Sequence, residues 1–427
     1  VSDRVDVLVV GAGQGGAQAA AALRLHKFPG SIAIVGEEPD LPYERPPLSK
    51  EYLAGDKAFE RILLRAPAFW TEKSITLRLG VRVTEVDAAA HMARLSDGSA
   101  LGYGTLIWAA GGHARRLTCS GHDLVGVHSV RSRGDVDRMR AELATTANVV
   151  IVGGGYIGLE AAAVLRKLGK QVTVLEALDR VLARVAGEPL SRWYEAEHRA
   201  HGVDVRLGAQ VVCIEEKDGR AVGVRVKHPD AGEEVLPADM VIVGVGIVPA
   251  VEPLLAAGAT PNAGTNGGVL VDLQCKTSLP DVYAVGDCAA HPNVHAHGVT
   301  LRLESVQNAM DQATIAARAI GGSDERYLAI PWFWSNQYDL RLQTIGLSLG
   351  HDEILVRGSL GHGEGREGER SFSLVYLRQN KVIALDCVNA ARDYVQGKAL
   401  IAASRAVTEA DRAKLADPTV PLKSLVG

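Results

Sequence analysis

Two stretches of this chain combine glycines and a trailing carboxylate in the spacing that holds a dinucleotide. The first is Gly11-Ala12-Gly13-Gln14-Gly15-Gly16, with Glu37 placed 21 residues after Gly16; the second is Gly153-Gly154-Gly155-Tyr156-Ile157-Gly158, with Glu176 beyond it. Missing side chains let the backbone approach a pyrophosphate, and the free N–H groups of the following helix meet its negative charge. An acid ending the next strand accepts from a ribose hydroxyl. Gly11, Gly13, Gly16 and Glu37 are therefore candidate cofactor ligands in the first stretch, and Gly153, Gly155, Gly158 and Glu176 in the second. A third carboxylate, Asp287, closes Asp281-Val282-Tyr283-Ala284-Val285-Gly286-Asp287 and is placed to bind sugar hydroxyls, or to cap a helix. A lone GxGxxG marks many ordinary turns, so its weight depends on the flanking elements. Two bound dinucleotides, or one and a relic of a second, are implied.

The elements around both stretches agree with that reading. Residues 7–10 form an apolar strand candidate before the first turn, and an Ala-rich helix runs to Leu25, followed by a strand over 31–35. Residues 149–152, a helix to Leu168 and a strand over 171–175 repeat the pattern. The repeat starts 142 residues after the first, room for a whole domain. Apolar runs at 238–245 and 281–287 are expected to close an interrupted first domain, with an Ala-containing helix after Asp287. From Tyr327 the composition shifts to aromatic and strand-like. Strands are expected over 340–346, 353–358, 371–377 and 381–385, with a hairpin at Arg378-Gln379-Asn380. Helices follow over 390–406 and 408–415, then a loose tail marked by Pro418 and Pro421. Residues 361–370, rich in Gly, Glu and Arg, read as an exposed loop whose charges only solvate it.

Bulk properties narrow the function classes. The chain has 427 residues, enough for several cores, and 50 acidic against 46 basic side chains give a net charge of −4. With no long basic block, nucleic acid is a poor default partner, although Arg61 and Arg65, or Arg192 and Arg199, offer local basic surface. No apolar run reaches a membrane span, and residues 1–6 lead straight into a strand without an export signal, so a cytoplasmic protein with no membrane partner is expected. Cys119, Cys213, Cys275, Cys288 and Cys387 are odd in number and far apart. They give neither a disulfide framework nor a metal knuckle, so no metal ligands are assigned and each reads as a small hydrophobe.

The segments Pro42-Tyr43-Glu44-Arg45-Pro46-Pro47-Leu48-Ser49-Lys50, 153–160, Val282-Tyr283-Ala284-Val285-Gly286-Asp287, Glu304-Ser305-Val306-Gln307-Asn308-Ala309 and Pro331-Trp332-Phe333-Trp334-Ser335 carry a wider likeness. They resemble the two-dinucleotide flavoprotein disulfide reductase superfamily, and within it the NADH-dependent ferredoxin reductases of bacterial oxygenase systems. The resemblance implies an α/β fold: two Rossmann-like dinucleotide-binding domains of the glutathione-reductase type plus a C-terminal α+β domain. It implies a discontinuous FAD-binding domain over 1–112 and 246–326, an NADH-binding domain over 113–245 and a C-terminal domain over 327–427. NADH yields hydride and an iron–sulfur protein accepts one electron, so the family sets FAD between them. The implied partner is an acidic [2Fe-2S] ferredoxin serving a cytochrome P450 or Rieske dioxygenase. Rubredoxin reductases, and interaction proteins resembling apoptosis-inducing factor, are the alternatives.

The same resemblance assigns roles. Lys50 is implied beside the flavin ring, where its charge would stabilise the reduced form and pair with a carboxylate. Glu160, two residues past Gly158, is implied near the nicotinamide as an organiser of hydride transfer that positions Lys50. Arg45 is implied at the pyrophosphate, and Asp287 with Glu304, Ser305 and Val306 at the ribityl and pyrimidine side. Trp332 and Trp334 are implied against the flavin. Disulfide-active relatives need a cysteine pair near residue 50, where this chain has Leu48-Ser49-Lys50, so disulfide chemistry is excluded. One departure is Ala109-Ala110-Gly111-Gly112, where many relatives carry a threonine; it puts one local hydrogen bond in doubt.

Overall fold

The computed structural model describes residues 3–228, 232–264, 267–361 and 370–426. The chain divides into two compact units, one made of residues 1–45, 58–113 and 247–331, the other of residues 46–57, 114–246 and 332–427.

The first unit is built on a sheet whose order runs Ile75–Leu79, Ile32–Gly36, Asp3–Val10, Ala100–Trp108, Met92–Leu95, Val83–Asp87. Its first four strands are parallel and the last two antiparallel. Val7, Leu8 and Val9 are buried in succession, and Ile32–Gly36 is nearly solid apolar sequence; such runs suit a parallel strand covered on both faces. Helix Gln14–Leu25 packs on helix Val306–Ile320, and alanines at 17, 19, 20 and 22 keep its buried side thin. The chain leaves Asp3–Val10 toward one side of the sheet and returns on the other, so the strand's carboxyl end is a switch point of the kind that accepts ligands.

Val282–Ala284 completes this sheet by pairing with Ala100–Trp108 in the register Val282 to Leu106. The run at 238–245 does not take part. Its strand, Met240–Val243, lies in the second unit, because all four residues are buried between Asn148–Val152 and Val127–Ser129. An apolar run shows that a strand is interior but not which sheet it enters. After Asp287 the chain forms a strand, Ala289–Pro292, rather than the expected helix.

The second unit repeats the parallel plan in the order Asp204–Leu207, Gln171–Glu176, Asn148–Val152, Met240–Val243, Val127–Ser129, with helix Tyr156–Lys167 following the second glycine turn. Its C-terminal part is a five-stranded antiparallel sheet in the order Trp332–Gln337, Leu340–Gly346, Lys381–Val388, Phe372–Arg378, Glu353–Gly358. The expected hairpin is present, with Gln379 and Asn380 both at positive φ, 49° and 59°, as a tight two-residue turn requires. Helix Ala391–Ala403 covers the sheet, and Gly397 allows its backbone close to Leu385.

Three surface expectations change. The tail is anchored rather than loose. Leu422 and Leu425 are buried, and the Arg357 guanidinium, itself buried, pairs with Asp393 and donates to the carbonyls of Asp417 and Val420. Arg370, at the end of the charged loop, does more than solvate it: its guanidinium is held by Glu197 at 3.0 Å and by Asp339. Residues 362–369 of that loop lie outside the described residues. Arg192 and Arg199 are both paired with carboxylates of their own helix, which neutralises the basic surface expected there. Among the described residues no helix is long and apolar enough to cross a membrane.

Candidate active site

In the first unit Gly11 sits at φ +109°, and a Cβ there would fall 2.2 Å from the Ala109 carbonyl oxygen; one on Gly16 would fall 1.9 Å from the Gly11 oxygen. Only glycine fits at either position. Gly13 differs, because a Cβ there would meet nothing nearer than Arg45 Nε at 4.0 Å. The turn therefore shows bare backbone to open space, with a guanidinium at its rim. Arg45 is held by Glu38 at 2.5 Å, and Tyr43 donates its hydroxyl to the same carboxylate. The Ala109-Ala110-Gly111-Gly112 turn keeps its course without threonine, with Gly111 at φ 63° and Gly112 pressed against the Val248 carbonyl. Glu37 is largely exposed, 3.9 Å from Arg82.

Asp287 lies inside the short turn Gly286–Cys288 and is not a helix cap. Gln312 accepts the Gly286 N–H at 2.7 Å, and Arg302 donates to the Asp287 carbonyl at 2.6 Å and pairs with Glu304 at 2.8 Å. Arg302 is thus 4 % exposed and committed inside the fold. Ser305 caps helix Val306–Ile320 by accepting the Asn308 N–H, and the helix has no acid in its first turn. Glu304, Ser305 and Val306 therefore sit at a positive helix end.

The second turn copies the first. Gly153 stands at φ +110° with its would-be Cβ 2.4 Å from the Gly244 oxygen, that of Gly158 is 2.1 Å from the Gly153 oxygen, and Gly155 has nothing within 4 Å. Glu176 accepts the N–H of Gly154 at 2.8 Å and of Leu178 at 2.9 Å, which fixes the turn against the end of its strand. Arg180 is turned away from this carboxylate. It donates to the carbonyls of Ala183 and Ala186 and to Ser191 Oγ.

Glu160, on the first turns of helix Tyr156–Lys167, is 4 % exposed. Lys50 Nζ lies 2.6 Å from its Oε2, and Ser49 Oγ donates to the same oxygen at 2.5 Å; Ser335 Oγ donates to Oε1 at 2.7 Å. The Pro46–Ser49 turn places Lys50 by accepting its N–H at Pro47. A buried carboxylate is tolerable only with such partners. Ser49 and Ser335 had no role assigned from sequence, although both lie in the diagnostic segments; a hydroxyl's partner is invisible until the strands are in register. Trp332 and Trp334 lie 5.6 Å apart between ring centres, both half-buried, and Phe333 packs on Tyr156.

These features fit FAD and NAD(H) on structural grounds. At each turn, backbone that a Cβ would otherwise screen is left open, in front of a helix with no first-turn acid. Two such turns, each following a strand paired in parallel with its neighbours, define a two-dinucleotide oxidoreductase. The family model of the pyridine nucleotide-disulphide oxidoreductases matches residues 5–313, and the reductase C-terminal model matches residues 332–426. A ferredoxin–NAD(P)(+) reductase of a Sphingomonas species is 56% identical, over 99% of this chain and 97% of its own. The ferredoxin reductase subunit of a 5,5'-dehydrodivanillate O-demethylase from a Sphingobium species is also 56% identical, over 98% of each. The crystal structure of the ferredoxin reductase for the CYP199A2 system from Rhodopseudomonas palustris superposes with a TM-score of 0.91, at 36% identity and full coverage of both chains. The chain belongs to the pyridine nucleotide-disulphide oxidoreductase family, in its ferredoxin reductase branch.

Proposed function

We propose that this protein is an FAD-dependent NADH:ferredoxin reductase, which takes hydride from NADH and delivers electrons to a ferredoxin of an oxygenase system. The observation that carries this is the pair of matching glycine turns, both open where a pyrophosphate would lie. The flavin, when bound, supplies the conversion from a two-electron donor to one-electron delivery. The chain's own part is to bind and orient. Gly11, Gly13, Gly16 and Arg45 would hold the FAD pyrophosphate, Glu37 its adenosine ribose, and Asp287 with Glu304, Ser305 and Val306 its ribityl and pyrimidine side. Gly153, Gly155, Gly158 and Glu176 would hold NADH. Lys50 would lend positive charge where the reduced ring gains negative charge, and Glu160 would orient Lys50 and the nicotinamide without acting as a base. Trp332 would cover the flavin. The FAD role falls to residues 1–112 and 246–326, the NADH role to 113–245, and shaping of the partner surface to 327–427.

The acceptor in this reading is an acidic [2Fe-2S] ferredoxin, and the protein works in the cytoplasm. Arg65 is exposed, stands over the Phe69 ring and donates to the Leu64 carbonyl at 2.7 Å, and its charge would steer such a partner. No cysteine lies near Lys50, and burial pushes the thiols of Cys275, Cys288 and Cys387 well up, away from reactive thiolate. Transfer therefore needs no protein disulfide. The test is stopped-flow spectroscopy, following flavin reduction by NADH and then ferredoxin reduction separately, on the native protein and on a variant with all five cysteines replaced. Both should pass electrons to ferredoxin. A folded, FAD-loaded cysteine-free variant that reduces its flavin but not ferredoxin would overturn the direct route.

A further inference from the structure

A line of buried polar side chains leads away from Glu160. Ser335 Oγ donates to Glu160 Oε1 at 2.7 Å, and Gln337 Nε2 donates to Ser335 Oγ at 3.1 Å. Gln337 Oε1 lies 2.8 Å from His198 Nε2, and the Tyr338 hydroxyl lies 3.0 Å from His198 Nδ1. Ser335, Gln337 and His198 are each at most 1 % exposed, so water does not share these bonds. The direction of every bond follows from one end. An ionised carboxylate only accepts, so Ser335 spends its single proton on Glu160 and must accept from the Gln337 amide. The other end of that amide is then a carbonyl, which requires a proton on His198 Nε2. His198 Nδ1 is left as an acceptor, and Tyr338 donates to it. Four donors thus point the same way, and aligned hydrogen bonds polarise one another in a dry interior.

The far end is fixed. Tyr338 occupies a left-handed position, φ 57°, in the tight turn between Trp332–Gln337 and Leu340–Gly346, and its ring stacks on His201 at 3.7 Å. The next residue, Asp339, is held by Arg370, which also binds Glu197 beside His198. Burial keeps His198 neutral, with its pKa lowered to about 4, as the assigned tautomer requires.

We propose that Gln337 and His198 are positioning residues for Glu160, acting through Ser335 to fix the orientation of its carboxylate. This rests on the reading of Glu160 as the organiser of hydride transfer. The charged and titratable groups facing Glu160 are Lys50 from the Pro46–Ser49 turn, Tyr156 on its own helix and Tyr194 on helix Glu188–Ala200. None of them duplicates the Ser335 contact with Oε1. Gln337→Glu keeps volume but offers Ser335 a competing acceptor, so Glu160 loses its donor at Oε1 and its carboxylate is no longer held in one orientation. Single-turnover flavin reduction in the holoenzyme should slow by about tenfold with little change in NADH affinity. Gln337→Met, which removes the link without adding charge, should lie between this variant and the native protein.

A readout independent of activity is nitrogen NMR of the histidine rings. His198 should be neutral, carry its proton on Nε2, and stay so to about pH 5, given a pKa of about 4. A proton on Nδ1 would reverse the line and overturn the inference even if neither variant folds. Glu160→Gln separates the two readings. If it is slow while Gln337→Glu matches the native rate, the positioning inference alone fails; if Glu160→Gln itself is as fast as the native protein, the reading of Glu160 fails and takes this inference with it.

Discussion

Glu176 holds the backbone of Gly154 at 2.8 Å, so one carboxylate both fixes the second glycine turn and closes the strand that leads from it. On the proposed reading this carboxylate would accept from the ribose 2'-hydroxyl of the nucleotide, and a 2'-phosphate there would meet like charge. Arg180 is spent on Ser191 and two carbonyls and so is not turned toward Glu176. NADH should be preferred over NADPH, and Glu176→Ala should narrow the ratio of kcat/KM values by about tenfold or more. Because the turn also loses its anchor, KM for NADH should rise. Steady-state kinetics with both nucleotides checks this; equal native values would defeat the charge argument.

Gly16→Ala and Gly158→Ala should separate the two turns. Each added methyl would land about 2 Å from a backbone oxygen, which a rigid turn does not accommodate. Gly16→Ala should be purified with little flavin, read from visible absorbance per protein. Gly158→Ala should retain its flavin and lose reduction by NADH while remaining reducible by dithionite.

Breaking the Lys50–Glu160 pair should be more harmful than removing it. Side-chain exposures of 11 % and 4 % mean that Lys50→Met leaves a buried carboxylate with hydroxyl donors only. A loss on the order of 3 kcal/mol in denaturant unfolding is expected, with much of it recovered in the Lys50→Met/Glu160→Gln double variant. Additive losses would show that the pair is not energetically coupled.

Asp386 supplies a pH signature. Burial raises its pKa to about 6, against the hydrogen bond donated by the Tyr376 hydroxyl, which lowers it. A folded-state pKa above the unfolded value of 3.8 gives stability that is full below 3.8 and is lost as pH rises through about 6. Asp386→Asn should therefore unfold later than the native protein at pH 8, by on the order of 2 kcal/mol, with the difference fading toward pH 4. A native protein as stable as the variant at both pH values would contradict this.

Much of this was readable before any coordinates. Strong local signals, such as the glycine turns after apolar strands and the turn residues at Gln379-Asn380, set elements that the fold keeps; Asn148–Val152 falls within a residue of its expected bounds, whereas the first strand starts four residues early, at Asp3. Lys50 was expected to meet a carboxylate through resemblance, and the structure supplies Glu160 at 2.6 Å. What could not be read was long-range partnership. Residues 238–245 announced a buried strand but not its sheet, Arg192 and Arg199 looked like basic surface until carboxylates of their own helix paired with them, and nothing local tied Arg357 to the carbonyls of the tail. Ser335 and Gln337 alternate with outward-facing Asn336 as any strand would, so their link to His198, 139 residues from Gln337, is a property of packing alone.

The strand Val282–Ala284 bears on how the protein is made. It completes the first sheet against Leu106 and its neighbours, and helix Val306–Ile320, which packs on Gln14–Leu25, comes later still. On the ribosome, the opening strands must wait as an unfinished edge while the whole of the second parallel sheet, from Val127–Ser129 to Met240–Val243, emerges with every one of its strands already at hand. The half that begins first is therefore the half that closes last, and the nascent chain carries an exposed row of Leu106, Ile107 and Trp108 until the missing strand arrives. Shielding that edge, by chaperone supply or by a lower growth temperature that weakens apolar association, should raise the yield of protein that can take up its flavin.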